Sequence, residues 1–205
     1  AAQQYLFAHG ADTDAVMGIE CFPEPDNQIR YVQSLERTMA VGDFITASSY
    51  VFMNGMSGHD HVFMSVGAAR PEAVDLVDAW AAGTRAFLAG MKPGARSDDL
   101  IAAAHSAIES GGYIYPGGSD VHPVGMEIPE GCGPSFLVDE GGKQMPPARR
   151  PYRLEAGMVV ALQLHAGDKE GRAVEGGTSY VVTEDGYRQL GNVQVNQLST
   201  ATGRG

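Results

Sequence analysis

The sequence predicts an α+β fold assembled from two similar halves. Three observations carry this: two segments with helical spacing of apolar residues, four short strand-like runs bounded by Gly or Asn, and a faint, ordered duplication. A chain of 205 residues with 43% hydrophobic and 19% charged residues is long enough and apolar enough for one domain with a substantial core.

The elements follow in order. Ala1-Ala2-Gln3-Gln4-Tyr5 reads as a helix already under way, which implies a segment upstream. Asp43 to Met53 and His59 to Val66 read as strands. From Pro71 to Gly90, Ala73, Val74, Val77, Trp80, Ala81, Thr84, Phe87 and Leu88 recur at spacings of three and four, with Pro71 in the first turn of the helix they mark. After the turn Met91-Lys92-Pro93-Gly94, Ser97 is placed as the N-cap of a second helix. Asp98 and Asp99 fall in its first turn, and it ends at Gly111-Gly112. Gly157 to His165 and Ser179 to Thr183 complete the strands. The high count of Gly, 27, with 11 Pro implies tight turns between them.

The duplication pairs Ala1 through Ala11 with Ala102 through Tyr113, and Arg37-Thr38-Met39-Ala40-Val41-Gly42-Asp43 with Tyr152-Arg153-Leu154-Glu155-Ala156-Gly157-Met158. The whole chain, 1–205, therefore reads as a single domain with halves at about 1 to 90 and 91 to 205. A site between the halves would draw on one hairpin from each.

Charge and composition exclude several functions. Lys and Arg number 14 against 25 Asp and Glu, a net charge of −11, and the one basic run, Arg149-Arg150 with Arg153, is too short to serve as a nucleic-acid footprint. Two cysteines, Cys21 and Cys132, make no disulfide framework, which fits a reducing compartment. With neither an apolar run of about eighteen residues nor a signal-peptide pattern at its start, the chain reads as cytoplasmic with no membrane partner.

Five stretches in order resemble the creatinase and methionine or proline aminopeptidase superfamily. They are Asn54-Gly55-Met56-Ser57-Gly58 leading to Val66-Gly67, Met91-Lys92-Pro93-Gly94, His122-Pro123-Val124-Gly125-Met126-Glu127-Ile128, Leu154-Glu155-Ala156-Gly157-Met158-Val159-Val160, and Tyr180-Val181-Val182-Thr183-Glu184-Asp185-Gly186. The resemblance implies the duplicated pita-bread fold, a curved antiparallel sheet covered by helices. It also implies an N-terminal domain beyond this segment and a homodimer. Aminopeptidases of the superfamily hold two divalent metals through two Asp, one His and two Glu, so that a bridging hydroxide attacks the peptide carbonyl. Carried over by motif, those positions are Ser48, His59, His122, Gln163 and Gly177, of which only the histidine position keeps its residue type. A second catalytic histidine falls on Pro129, and a third near Arg30-Tyr31. Creatinase works without metal, but its main histidine falls near Arg30-Tyr31 and one acidic position falls on Gln163, so its roles do not transfer either.

Histidine supplies the candidate chemistry instead. His59, His61, His122 and His165 lie on strands or turns that face the pocket in this fold. Residues two apart on a strand share a face, so His59 pairs with His61 and Gln163 with His165, while Asp60 points away. Ser48, Tyr50, Gln163, Glu175 and Tyr31 are candidate substrate-binding residues. Converging imidazoles suit acid–base catalysis without metal, led by His122 and His59. They also suit one divalent transition metal held by His59, His61, His122 and His165.

Other residues favour ordinary roles. His9 and His105 sit on helical segments, Cys132 is commoner as a buried structural cysteine, Glu127 and Glu130 as solvated rim groups, and Met53, Met56 and Met64 as core. The sequence thus points to a metal-independent hydrolase or lyase that cleaves a C–N or similar bond in a small polar substrate. The alternatives are a non-catalytic pseudo-peptidase that binds a peptide or small ligand, and a single-metal hydrolase or Xaa-Pro peptidase-like enzyme.

Overall fold

The computed structural model describes residues 2–12, 16–22, 38–115, 121–124, 152–195 and 197–201. Along the chain these form α1 (Ala2–Ala8), β1 (Val16–Phe22), β2 (Phe44–Met53), β3 (Met56–Val66), α2 (Pro71–Gly90), α3 (Ser97–Ser110), β4 (Val121–Pro123), β5 (Val159–Gly167), β6 (Ala173–Val182), β7 (Tyr187–Gln189) and β8 (Leu198–Ala201).

One sheet holds every described strand, in the order β1-β2-β3-β6-β5-β4, with β7 added to β6 and β8 parallel to β3. The order mirrors itself about the β3–β6 junction, where a single residue pair, Asp60 with Thr178, is in ladder register. Each side of that junction is a hairpin. In β2–β3 the turn is Asn54-Gly55, both at positive φ (52° and 75°), the two-residue turn whose twist suits antiparallel strands. Its register sets Ser48 opposite His61 and Tyr50 opposite His59. The β5–β6 register sets Gln163 opposite Gly177 and His165 opposite Glu175.

Helix α2 lies between the sheet and α3. Val77, Trp80 and Phe87 of α2 join Leu100, Ala104 and Ile108 of α3 and Val160, Leu162, Leu164, Val174, Tyr180 and Val182 of β5 and β6 in one buried cluster. The two helices can approach because residue 83 is Gly: a Cβ there would sit 2.8 Å from Ile108 Cδ1 and 3.2 Å from the Ala104 carbonyl oxygen. Trp80 ties α2 to the sheet. Its ring meets Phe63 edge-on at 5.1 Å, and its Nε1–H donates to the Gly176 carbonyl at 3.0 Å.

Three expectations need correction. Ser97 does not cap α3. The cap position is Arg96, and the Ser97 hydroxyl accepts from the Tyr152 backbone N–H at 3.1 Å, tying the helix start to the chain before β5. The last long strand starts at Ala173 rather than Ser179: Gly176-Gly177 lies inside it, with the Phe63 and Trp80 rings against Gly176 and His61 and Gln163 against Gly177. Met53 and Met56 are not core: they flank the hairpin turn and are about half exposed. Among the described residues, no helix is long and apolar enough to cross a membrane.

Removing the Trp80 anchor should cost stability in two steps. Trp80→Phe leaves the Gly176 carbonyl buried without its donor, a loss of about 1–3 kcal/mol. Trp80→Ala adds a cavity, for about 3–5 kcal/mol in all. Urea unfolding of both variants checks this, and a Trp80→Ala protein as stable as the parent would contradict it.

Candidate functional site

Alternation along the strands puts Ser48 and Tyr50 of β2, His59 and His61 of β3, Gln163 and His165 of β5, and Glu175 and Ser179 of β6 on one face of the sheet. The opposite face of β5 and β6 carries the apolar residues that pack on α2.

Glu175 is the centre of this face. Its carboxylate lies 3.1 Å from His165 Nε2 and 3.9 Å from His61 Nε2, and the Gln163 side-chain amide donates to Oε1. Glu175 is 3% exposed, and His61 and His165 are each 5% exposed. Burial by itself raises the carboxyl group's affinity for a proton. The hydrogen bond and charge of His165, the charge of His61 and the Gln163 amide together outweigh it and hold Glu175 down at about 2. Hydrogen-bond geometry assigns the Nε2–H of His165 to the carboxylate, and its other ring nitrogen is Nδ1. That buried nitrogen has no hydrogen-bond partner among the described residues.

The neighbouring row is aromatic. Tyr50 stacks on His59 at 3.8 Å and 16°, and the His59 ring lies 4.5 Å from that of His61. Ser179 serves the backbone, donating to the His59 carbonyl at 2.8 Å and accepting from the His59 N–H at 3.2 Å. It pins β3 to β6 where the ladder is short. Asp60 projects to the other face, as expected, where it accepts from the His61 N–H at 3.0 Å and bonds Thr178; burial nevertheless pushes it up to about 6.

The structure thus brings together His59, His61, His165, Gln163, Glu175, Ser48 and Tyr50. His122 lies on β4 opposite Ala161, and only its backbone is described. Tyr31, Glu127, Glu130 and Cys132 lie outside the described residues. His9, just past α1, stacks on Tyr5 and is exposed. His105 is a neighbour the sequence reading set aside: it stacks on Tyr115 at 3.7 Å, and Tyr115 meets His165 edge-on at 6.3 Å. Tyr115 carries no sequence signal, since the bridge of Ile114 to Gly167 that brings it to β5 is long-range.

A dinuclear metal centre does not fit these residues. Ser48 offers a neutral hydroxyl and Gln163 a neutral amide where bridging carboxylates are needed. Gly177 is closed to any side chain: a Cβ there would collide with the Leu162 carbonyl oxygen and lie 3.1 Å from Gln163 Cα and 3.2 Å from His61 Nδ1. Among the described residues, no three His, Cys, Asp or Glu side chains are disposed to hold a metal ion.

A family model described as Metallopeptidase family M24 matches residues 1–184. The chain belongs to metallopeptidase family M24. A methionine aminopeptidase of Aquifex aeolicus is 26% identical over 172 residues, covering 81% of this chain and 62% of the relative. Among solved structures, the dipeptidase PepE of Mycobacterium ulcerans superposes with a TM-score of 0.73 at 19% identity, over 96% of this chain and 49% of that one. The prolidase of Pyrococcus horikoshii gives 0.70 at 15% identity, over 94% and 50%. The methionine aminopeptidase of Thermotoga maritima gives 0.64 at 18%, over 85% and 72%. The fold is therefore the pita-bread fold of the creatinase and aminopeptidase superfamily, and this M24 chain spans only part of the length of its relatives.

The two perturbed carboxyl groups predict opposite pH behaviour. Glu175 binds its proton more weakly folded than at its ordinary value of 4.5, so its contribution to stability is complete above that pH and is lost as pH falls toward 2. The stability gap between the parent and Glu175→Gln should close over that window. Asp60 binds its proton more tightly folded, so its ionisation costs stability increasingly from its ordinary 3.8 up to about 6. Asp60→Asn should gain on the parent as pH rises through that range. Denaturation curves from pH 2 upward check both signs, and parallel curves for parent and variants would contradict them.

Proposed function

We propose that this M24 protein is a hydrolase that cleaves a C–N bond in a small polar substrate by imidazole acid–base chemistry, in place of the family's two metals. One observation carries the reading: a buried carboxylate, Glu175, lies against two imidazoles, His165 at 3.1 Å and His61 at 3.9 Å, on one face of the sheet. In this mechanism Nδ1 of His165 takes a proton from water as the water oxygen bonds to the substrate carbon. Glu175 stabilises the imidazolium, which then returns the proton to the leaving nitrogen as the C–N bond breaks. His61 and His59 extend the proton-transfer set, with His122 from β4. Ser48, Tyr50 and Gln163 orient the substrate, joined by Tyr31.

The test is turnover of a panel of small amides and dipeptides, followed as released ammonia or amine. Glu175→Gln should lower kcat by about 100-fold or more while the protein stays folded. Full activity in that variant would remove Glu175 from the mechanism. Metal analysis of the active, chelator-free protein separates the one-metal version, which requires a stoichiometric ion that is lost in His61→Ala or His165→Ala.

A second reading, a non-catalytic pseudo-peptidase, is favoured by the burial of the same groups, none more than 5% exposed. It predicts that a peptide or amide from the panel raises the melting temperature without being consumed.

A further inference from the structure

We infer that the outer face of the β2–β3 hairpin is the seat of a partner helix, placed as α2 is placed on the β5–β6 hairpin, and that this helix carries a basic side chain over Asp60. The inference is independent of the hydrolase reading and rests on the internal symmetry of the two halves.

The backbone hydrogen bonds of the halves match one for one. Gly42 N–H donates to the Val66 carbonyl and Val66 N–H to that of Asp43, as Gly157 N–H does to Val182 and Val182 N–H to Met158. Asp12 N–H donates to the Phe52 carbonyl as Ile114 N–H does to that of Gly167. Helices α1 and α3 end alike, in Gly10 and Gly112 at φ of 96° and 86°, with Ala11 N–H bonded to the Leu6 carbonyl and Tyr113 N–H to that of Ile108. These bonds and the two hairpin registers set Ala47 against Leu162, Ser49 against Leu164, Val62 against Thr178 and Met64 against Tyr180. Asp60 corresponds to Gly176, and Leu6 of α1 to Ile108 of α3.

Burial breaks the match. Leu162, Leu164, Thr178 and Tyr180 are at most 5% exposed, on the face that packs against α2. Ala47, Ser49, Val62 and Met64 are only half-buried. Along β3 the ordinary alternation is inverted: the polar His59, His61 and Ser65 are buried, and the apolar Val62, Met64 and Val66 are the half-buried set. A contiguous apolar sheet face of this kind is one that a second layer covers. The element that covers its copy is α2, and the first half has no counterpart to it among the described elements, since α1 corresponds to α3.

The correspondence also dictates what the helix presents. Ala47 and Ser49 stand where the second half has Leu162 and Leu164, so the incoming side chains over them must be larger to fill the layer. Leu6 stands where Ile108 closes on Gly83, which calls for a small residue on the side facing α1. The position of Trp80, which lies on Gly176 and donates to its carbonyl, falls over Asp60. A covering apolar side chain would strip that carboxylate of water without replacing it, whereas a lysine or arginine supplies both a donor and the opposite charge.

The test adds peptides to the full chain labelled at its Met and Val methyl groups. Both peptides have the α2 sequence, Pro71–Gly90, one with Trp80→Lys and the other with Trp80→Glu. The lysine peptide should move the methyl signals of Val62, Met64 and Val66, leave those of Val160 and Val174 in place, and bind about tenfold more tightly than the glutamate peptide. In the Asp60→Asn protein that preference should disappear. The inference is overturned if neither peptide moves the β3 methyls, if the shifts fall on Val160 and Val174 because the peptide has exchanged with α2, or if the parent binds both peptides equally. Dilution of the protein alone that moves the β3 methyls would also overturn it, by making the occupant a second copy of the chain.

Discussion

A carboxylate at 3% exposure cannot stand alone, and the arrangement of this site follows from how Glu175 is satisfied. His165 and the Gln163 amide of β5 donate hydrogen bonds and His61 of β3, 3.9 Å away, adds its charge, so the partners of a single side chain on β6 lie on two other strands. The same contact that stabilises the anion fixes the ring orientation of His165. Stability and chemistry therefore depend on the same hydrogen bonds. Loss of the carboxylate would release both rings, whereas loss of one ring would leave a charge buried against apolar strands.

The rest of the fold holds β6 where this can happen. Gly176 and Gly177 are adjacent and face opposite ways. The first admits the Phe63 and Trp80 rings on the core side, and the second admits His61 and Gln163 on the site side. The Trp80 hydrogen bond to the Gly176 carbonyl fixes the backbone between the two. Helix α2 can deliver Trp80 to that point because it is buried on both sides, against the sheet and against α3 across Gly83. Glu175 of β6 is a buried carboxylate on the same face as His61, His165 and Gln163. Across the chain, 25 acidic residues against 14 basic ones give a net charge of −11.

Much of this was legible in the sequence where the signal is local. The spacing of Val77, Trp80, Thr84 and Phe87 announced α2 to the residue, strands were read on both sides of Asn54-Gly55, and alternation put His59 with His61 and Gln163 with His165 on shared faces. What failed was long-range. The strand was read only from Ser179, so the first half of β6, with Glu175 in it, was missed, because the Phe63 and Trp80 rings that pack on Gly176 come from distant segments. Ser97 has the composition of a cap, yet its hydroxyl is used by Tyr152, 55 residues away. Glu175 could be named as a pocket residue but not as the hub, because that role depends on which residues β5 and β3 place beside it.

The central claim, that Glu175 and His165 act as one unit, is tested most directly by a double-mutant cycle on stability at neutral pH, using Glu175→Gln, His165→Gln and the double variant. The account predicts a coupling energy of about 1–3 kcal/mol, with the double variant more stable than the sum of the single losses implies. Strict additivity of the two substitutions would contradict it.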